Sequence, residues 1–381
     1  MSKSIFAIGS YGCGNRGDDA ILQSICEQFS NSKIYATCGT YEDVSGYLPV
    51  EIVPCRLNEG ISLPVLGSMI KDSFGILKAI YKTDMLMFGG GSLIHDLTVY
   101  NLPFLFFWQL WAKIFRKKVC YFSMGVGPLT TSMGQRLSRL FLKHADGLFV
   151  RDMRGYNLCK KIGLENVVLT ADAAFAITQK NQCKQKTLRE LNLQEHSYFC
   201  ITASQWFEST NFWHRNEMDF SARIRELAES IRAAVKVIKQ PAVFVPTVVH
   251  DVQIGMQLKE YLNDVDFRIV PSDWNCMQMA EIIENSSFLL GERMHSIIFA
   301  ARQKVPFLAL IYDEKVHQLL QYLGMEKYGL DLSEVRPETV CEYVKQVLSN
   351  RDKIEAILEE KMVEFNKKIE TSKQLTANFL N

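Results

Sequence analysis

Apolar residues along this chain fall into short unbroken runs, each followed by a glycine-rich or polar loop and then by apolar positions spaced three and four apart. The first run, SIFAIG, does not alternate with polar residues, which predicts a strand buried on both faces. DDAILQSICEQF then places Ile21, Leu22, Ile25, Cys26 and Phe29 on one face of a helix. KIYATCG, DMLMFGGG, KVCYFSMGVGP, DGLFVRD and NVVLTAD read as five further strands, with helices among the segments between them, at 101–116 and 153–161. Unbroken apolar strands alternating with helices predict a parallel sheet covered on both sides.

The pattern stops at 178–197, TQKNQCKQKTLRELNLQEHS, which is polar and reads as an interdomain connection. It then resumes. YFCITAS, AVFVPTVV, FRIVPS, SFLLGE and PFLALIYD are predicted strands, and 218–239, 251–264, 275–285, 294–303 and 314–323 predicted helices. A final helical stretch covers 336–378, charged on one face and apolar on the other over 351–378. The expected fold class is α/β, with two doubly wound Rossmann-like domains facing a cleft. The expected domains are 1–178 on the acceptor side, 198–350 on the donor side, and a C-terminal helix at 351–381 packing across both. Ligands of such sheets bind beyond the carboxyl ends of the strands.

Composition narrows the function. A length of 381 residues exceeds one ordinary domain, and a 48% hydrophobic fraction can fill two cores. A formal net charge of +1 argues against nucleic acid as a partner. The ten cysteines are dispersed with no C-x-x-C spacing, so no metal is expected and a reducing compartment fits. The opening apolar run is too short for a signal peptide, and 102–115 is too short to span a bilayer and contains Gln109 and Lys113. A cytoplasmic protein is expected.

Three glycine clusters stand at predicted strand ends. Gly12-Cys13-Gly14-Asn15-Arg16-Gly17 has the literal spacing of the dinucleotide fingerprint, and Glu42 and Asp43 follow the next strand where a ribose-binding acid could sit. Asp18 and Asp19 oppose that reading, because two carboxylates in the first turn of the helix repel the phosphate that a helix start would bind. A neutral polar ligand such as a sugar fits this turn better, and plain helix capping is the alternative. In FGGGSLIHD, Gly89, Gly90 and Gly91 allow close backbone approach, Ser92 can cap, and His95 and Asp96 are expected near the cleft. SMGVGPL is the third cluster. Arg151, Arg293, His295 and Lys315 follow predicted strands at the same end, and arginine forks there suit carboxylate and phosphate. A surface ion pair is the plainer reading of each alone, with Asp152 available to Arg151.

In their order, GSYGCGNRGDDAIL, FGGGSLIHD, MGVGPL, VRDMRG, ADAAF and GERMHSIIFAARQKVPFLALIYDEKV resemble the polysaccharide pyruvyl transferases over about residues 5–325. The resemblance implies a fold similar to the GT-B glycosyltransferases. It implies transfer of the pyruvyl group of phosphoenolpyruvate to a sugar of a bacterial capsule or exopolysaccharide precursor, typically lipid-linked, as a cyclic ketal. Phosphoenolpyruvate would be a co-substrate, with no cofactor. Arg151, Arg293, His295 and Lys315 match donor-binding positions, and Gly14, Asn15, Asp18, Gly90, Gly91, Ser92 and His95 lie in the loops that would face the acceptor. His295 is then the expected proton donor, and Asp18 or Asp96 the expected base. Asp19, His95 and Gly155 depart from the residues the family often carries there, which bears on the choice of sugar. A nucleotide-sugar glycosyltransferase is the first alternative and would need Glu292 at a ribose. An NAD oxidoreductase and a non-catalytic two-lobed binding module follow. The aromatic segment 102–118 ends in Arg116-Lys117-Lys118. It is either a helix buried on the sheet or one lying at the inner face of a membrane, where it could admit a lipid-linked acceptor.

Overall fold

The computed structural model describes residues 3–39, 44–55, 63–98, 101–178, 184–204 and 220–380. Glu42 and Asp43 lie outside them. The chain divides into two compact units, Met1–Thr178 with Glu364–Asn381, and Gln179–Val363.

In the first unit the chain runs β1 (Ser4–Ile8), α1 (Arg16–Gln28), β2 (Lys33–Cys38), β3 (Val50–Pro54), α2 (Leu63–Lys82), β4 (Met85–Gly89), α3 (Asn101–Ile114), β5 (Lys118–Met124), α4 (Ser132–Leu142), β6 (Gly147–Val150), α5 (Met153–Lys161) and β7 (Val168–Leu169). The strands form one parallel sheet in the order β3-β2-β1-β4-β5-β6-β7. The order reverses between β1 and β4, so the loops that follow these two strands part on opposite sides and leave a crevice, the usual ligand position in such sheets. The central strands are the ones whose apolar runs are unbroken. Phe6, Phe88 and Tyr121 are fully buried, and the Phe88 and Tyr121 rings stack at 4.7 Å. α3 packs Leu105, Phe106 and Trp108 into the same core.

The second unit runs α6 (Lys184–Glu190), β8 (Phe199–Thr202), α7 (Phe220–Ile238), β9 (Ala242–Phe244), α8 (Val252–Tyr261), β10 (Phe267–Ile269), α9 (Cys276–Glu284), β11 (Leu289–Gly291), α10 (Met294–Arg302), β12 (Phe307–Ile311), α11 (Glu314–Leu323), β13 (Gly329–Asp331), α12 (Pro337–Ser349) and α13 (Arg351–Leu380). Its parallel sheet has the order β10-β9-β8-β11-β12-β13, with the reversal between β8 and β11.

Several elements depart from the sequence pattern. β3 is a half-exposed edge strand, and without a buried run on both faces it carried no signal. β13 is an edge strand of only three residues. α2 and α4 were also unread. α6 forms within the polar stretch taken for a connection and packs on α9. The last helical stretch breaks at Asn350, the C-cap of α12. α13 then contributes residues to both units: Ile354 and Leu358 are buried in the second, while in the first Phe365 meets the Phe175 ring at 5.0 Å.

Candidate active site

At the end of β1 the chain turns through Gly12 and Gly14, whose φ of 62° and 81° lie in the left-handed region that suits glycine. Asn15 then caps α1, accepting from the Gly17 N–H at 3.1 Å and donating its amide to Asp18 Oδ2 at 2.9 Å. Asp19 is fully buried behind this turn. Its Oδ1 accepts from the Gly12 N–H at 2.8 Å, and Oδ2 lies 3.6 Å from the buried Arg16. Burial pushes the Asp19 carboxyl up to about 6, against the opposing pull of Gly12 and Arg16. The turn is unlike a pyrophosphate cradle: Asp19 holds the Gly12 N–H, the Asn15 side chain holds the Gly17 N–H, and two carboxylates occupy the first turn, all of which count against the dinucleotide reading.

The glycine cluster after β4 is locked to this turn and to its neighbour after β5. Tyr11 donates to the Gly89 carbonyl at 2.6 Å. Gly90 and Gly91 have φ of 89° and 61°, and a Cβ added at Gly91 would stand 3.2 Å from Asp18 Oδ1. Gly125 N–H donates to Gly91 O at 3.0 Å and Gly127 N–H to Ile94 O at 2.7 Å, so two of the predicted clusters run side by side. Arg151 emerges from β6 into them. It is buried, donates from Nη1 to Asp172 at 2.7 Å and from Nη2 to Ser92 Oγ at 3.2 Å, and stands 3.8 Å from its sequence neighbour Asp152. One unit thus gathers Gly14, Asn15, Asp18, Gly90, Gly91, Ser92 and Arg151 at the carboxyl ends of its strands. His95 is half-buried in the same loop.

Asp96 has another task. Both its oxygens are engaged, accepting from the N–H and hydroxyl of Thr130 and of Thr131 at 2.6–3.1 Å. Partial burial would raise its carboxyl, but these four bonds outweigh it and hold the group below the usual carboxylate range. That suits a brace at the start of α4 and is poor chemistry for a base.

In the second unit, register pairs Thr202 of β8 with Gly291 of β11. The Thr202 hydroxyl accepts from the N–H groups of Glu292 at 3.1 Å and Arg293 at 3.3 Å, and lies 2.8 Å from Ser296 Oγ. Ser296 in turn donates to Arg293 O at 2.6 Å. The start of α10 is thereby pinned across the strand-order reversal, with Arg293 as its N-cap residue and His295 in its first turn. The Arg293 fork closes on Asp251, Nε to Oδ2 at 2.9 Å and Nη2 to Oδ1 at 2.5 Å. Burial works against the charged guanidinium, yet Asp251 prevails and raises it above its ordinary value. Of the five N–H donors on the guanidinium, the fork to Asp251 uses two. Tyr312 also faces Arg293, and burial pushes its phenol up to about 12 despite that cation. Lys315 is exposed in the first turn of α11, which Asp313 caps by accepting from the Lys315 N–H at 3.0 Å.

Glu292 points inward. It is buried, accepts from the Ser204 N–H at 3.2 Å and from the Ser204 hydroxyl, and feels the buried Arg223. Held by Ser204, this carboxylate gives the nucleotide-sugar alternative no support. Sequence reasoning missed Asp172, Asp251, Thr202 and Tyr312. Asp172 lay in the ADAAF motif already singled out, whereas Asp251 carries no local signal, being 42 positions from its partner.

The family model for polysaccharide pyruvyl transferase matches residues 15–314. Amylovoran biosynthesis protein AmsJ of Erwinia amylovora is 21% identical over 403 residues, spanning 92% of this chain and 93% of that protein. UDP-GlcNAc 2-epimerase from Methanocaldococcus jannaschii is 14% identical with a TM-score of 0.61, over 91% of this chain and 92% of its own. HepE from Anabaena, solved with UDP and glucose, is 11% identical with a TM-score of 0.59, over 99% of both. At such identities the two solved structures establish the fold alone, a pair of parallel-sheet α/β domains of the GT-B kind.

Proposed function

The chain belongs to the polysaccharide pyruvyl transferase family, and from that premise we propose that it transfers the pyruvyl group of phosphoenolpyruvate to a sugar of a bacterial surface-polysaccharide precursor, forming a cyclic ketal and releasing phosphate. The observation that carries this reading is the Arg293–Asp251 fork at a pinned helix start. A guanidinium fixed at a strand end suits a small ligand bearing both carboxylate and phosphate.

In the proposed reaction, C3 of phosphoenolpyruvate takes a proton and C2 becomes electrophilic. A sugar hydroxyl attacks C2 and gives up its proton. The C2–O bond to phosphate breaks with its electron pair, and a second hydroxyl adds to C2 to close the ketal. Of the two hydroxyl protons, one balances that delivered to C3 and the other leaves with phosphate. Arg293, Arg151 and Lys315 hold the donor's anionic groups, and His295 delivers the proton to C3. Asp18 is the base, because Asp96 is braced by Thr130 and Thr131. Gly14, Asn15, Gly90, Gly91, Ser92 and His95 contact the sugar.

Thermal unfolding with phosphoenolpyruvate, and separately with UDP- and GDP-sugars, tests the reading. Saturation at 100 times Kd adds about 2.7 kcal/mol, or roughly 5–10 °C for a unit of this size. The expected result is a shift with phosphoenolpyruvate that Arg293→Ala abolishes. A shift with a nucleotide sugar and none with phosphoenolpyruvate would replace this reading with glycosyl transfer.

A further inference from the structure

Both sides of α3 are apolar. One side, with Leu102, Leu105, Phe106 and Trp108, is buried in the core of the first unit, as the plainer reading of 102–118 expected. The opposite side is apolar as well and faces outward: Phe107, Leu110 and Ile114, spaced three and four apart, are 49%, 49% and 55% exposed. On the neighbouring α2, Phe74 and Tyr81 are 69% and 65% exposed. The patch is continuous through its rings, Phe107 to Trp111 at 6.3 Å, Trp111 to Phe115 at 5.6 Å, and Phe115 to Tyr81 at 5.3 Å.

Charge says what such a face suits. α3 contains no acidic residue, and α2 contains only Asp72. Lys78 and Lys82 share the exposed side of α2 with Phe74 and Tyr81, Arg116 is exposed just past α3, and Lys117 lies 5.8 Å from the Tyr81 ring centre. Lys113 and Lys118 do not count toward this rim, because both pair with Asp146. Asp84 partly offsets Lys117 and Glu51 partly offsets Lys82, so the excess of positive charge rests chiefly on Lys78 and Arg116. Aromatic rings and aliphatic tips beside a cationic rim are the composition of a surface that sits in the headgroup layer of an anionic bilayer. A two-fold contact with a second copy fits less well, since it would bring like-charged rims toward each other. No helix among the described residues is long and apolar enough to cross a membrane.

We propose that the outer face of α2 and α3 docks onto a bilayer carrying anionic lipid, with Phe107, Leu110 and Ile114 entering the interface and Lys78, Lys82 and Arg116 meeting the headgroups. This inference is independent of the reaction proposed above.

The test is flotation of the full chain with vesicles of phosphatidylcholine alone and of phosphatidylcholine with phosphatidylglycerol. Binding is expected to the mixed vesicles, to weaken with salt, and to be lost in Leu110→Glu/Ile114→Glu. Each substitution by Gln at Lys78, Lys82 or Arg116 should lower the partition about fivefold. Circular dichroism melts matching the wild type establish that the variants are folded, as expected for exposed positions. Equal binding to both vesicle types, no binding to either, or full binding by the folded Glu variant overturns the proposal. So does a dimer in sedimentation velocity that the Glu variant dissociates, which would assign the face to a second copy.

Discussion

Asp251→Ala takes both acceptors away from the Arg293 fork. The Asp251 side chain is 1% exposed and that of Arg293 is 22%, so the variant leaves a mostly buried guanidinium facing a hole. Removing one partner of a buried pair costs about 3–5 kcal/mol. Because part of Arg293 already reaches water, the lower end applies, about 3 kcal/mol. At roughly 2–4 °C per kcal/mol for a unit of this size, the midpoint of the second unit should fall about 6–12 °C. Arg293→Ala strands the more deeply buried partner and should cost at least as much. The stranded carboxyl would have a raised pKa, so the folded variant binds a proton that the unfolded chain does not, and its stability should recover as pH falls. Asp251→Leu/Arg293→Met removes both charges and should recover much of the loss. Calorimetry on this cycle, with phosphoenolpyruvate titrated into each folded variant, reads stability and binding together. Donor affinity should fall in Asp251→Ala although Asp251 itself need touch no ligand, since the fork is what aims the guanidinium. A midpoint within 1–2 °C of wild type, or a coupling energy below about 0.5 kcal/mol, would refute the claim that this pair holds Arg293.

Three further outcomes are expected. The Asp19 carboxyl titrates at about 6 in the fold and near 4 unfolded. The native state therefore holds the extra proton between those values, and stability falls as pH rises through that window, by up to about 3 kcal/mol; the Tm of Asp19→Asn minus that of wild type should grow from pH 4 to pH 7, and a constant difference contradicts the assignment. Gly91→Ala forces a side chain into a φ of 61° with its Cβ 3.2 Å from Asp18 Oδ1, and should lower the urea unfolding free energy by roughly 1–2 kcal/mol, whereas no change would mean the loop sits elsewhere. Asp96→Ala should destabilise the turn before α4 by about 1–3 kcal/mol while leaving the shape of the pH–rate profile unchanged, and loss of the acidic limb would restore Asp96 as the base.

Periodicity alone determined the central strands of both sheets, because β1, β4, β5, β8, β11 and β12 are buried on both faces and burial on both faces leaves unbroken apolar runs in sequence. It also placed the glycine clusters and Arg151, Arg293, His295 and Lys315 at strand ends. α11 fell on its predicted bounds of 314–323, where Asp313 caps its start and Gly324 ends it in the left-handed region. The edge strands β3 and β13 escaped, since β3 is half open to water and β13 holds a single buried apolar side chain, Leu330, so neither carries an unbroken apolar run. What the tertiary structure decided was partnership. Arg151 pairs most closely with Asp172, 21 positions away, at 2.7 Å, rather than with its neighbour Asp152 at 3.8 Å. Arg293 closes on Asp251, Asp96 braces Thr130 and Thr131, and Glu292 turns inward to Ser204. The same holds for α3, whose two apolar sides look alike in sequence although only one meets the core. The physical reason is common to all of these. Hydrophobic period is a local property of the chain, whereas the partner of a charge or of an apolar face depends on which distant loops and helices the strand order brings beside it.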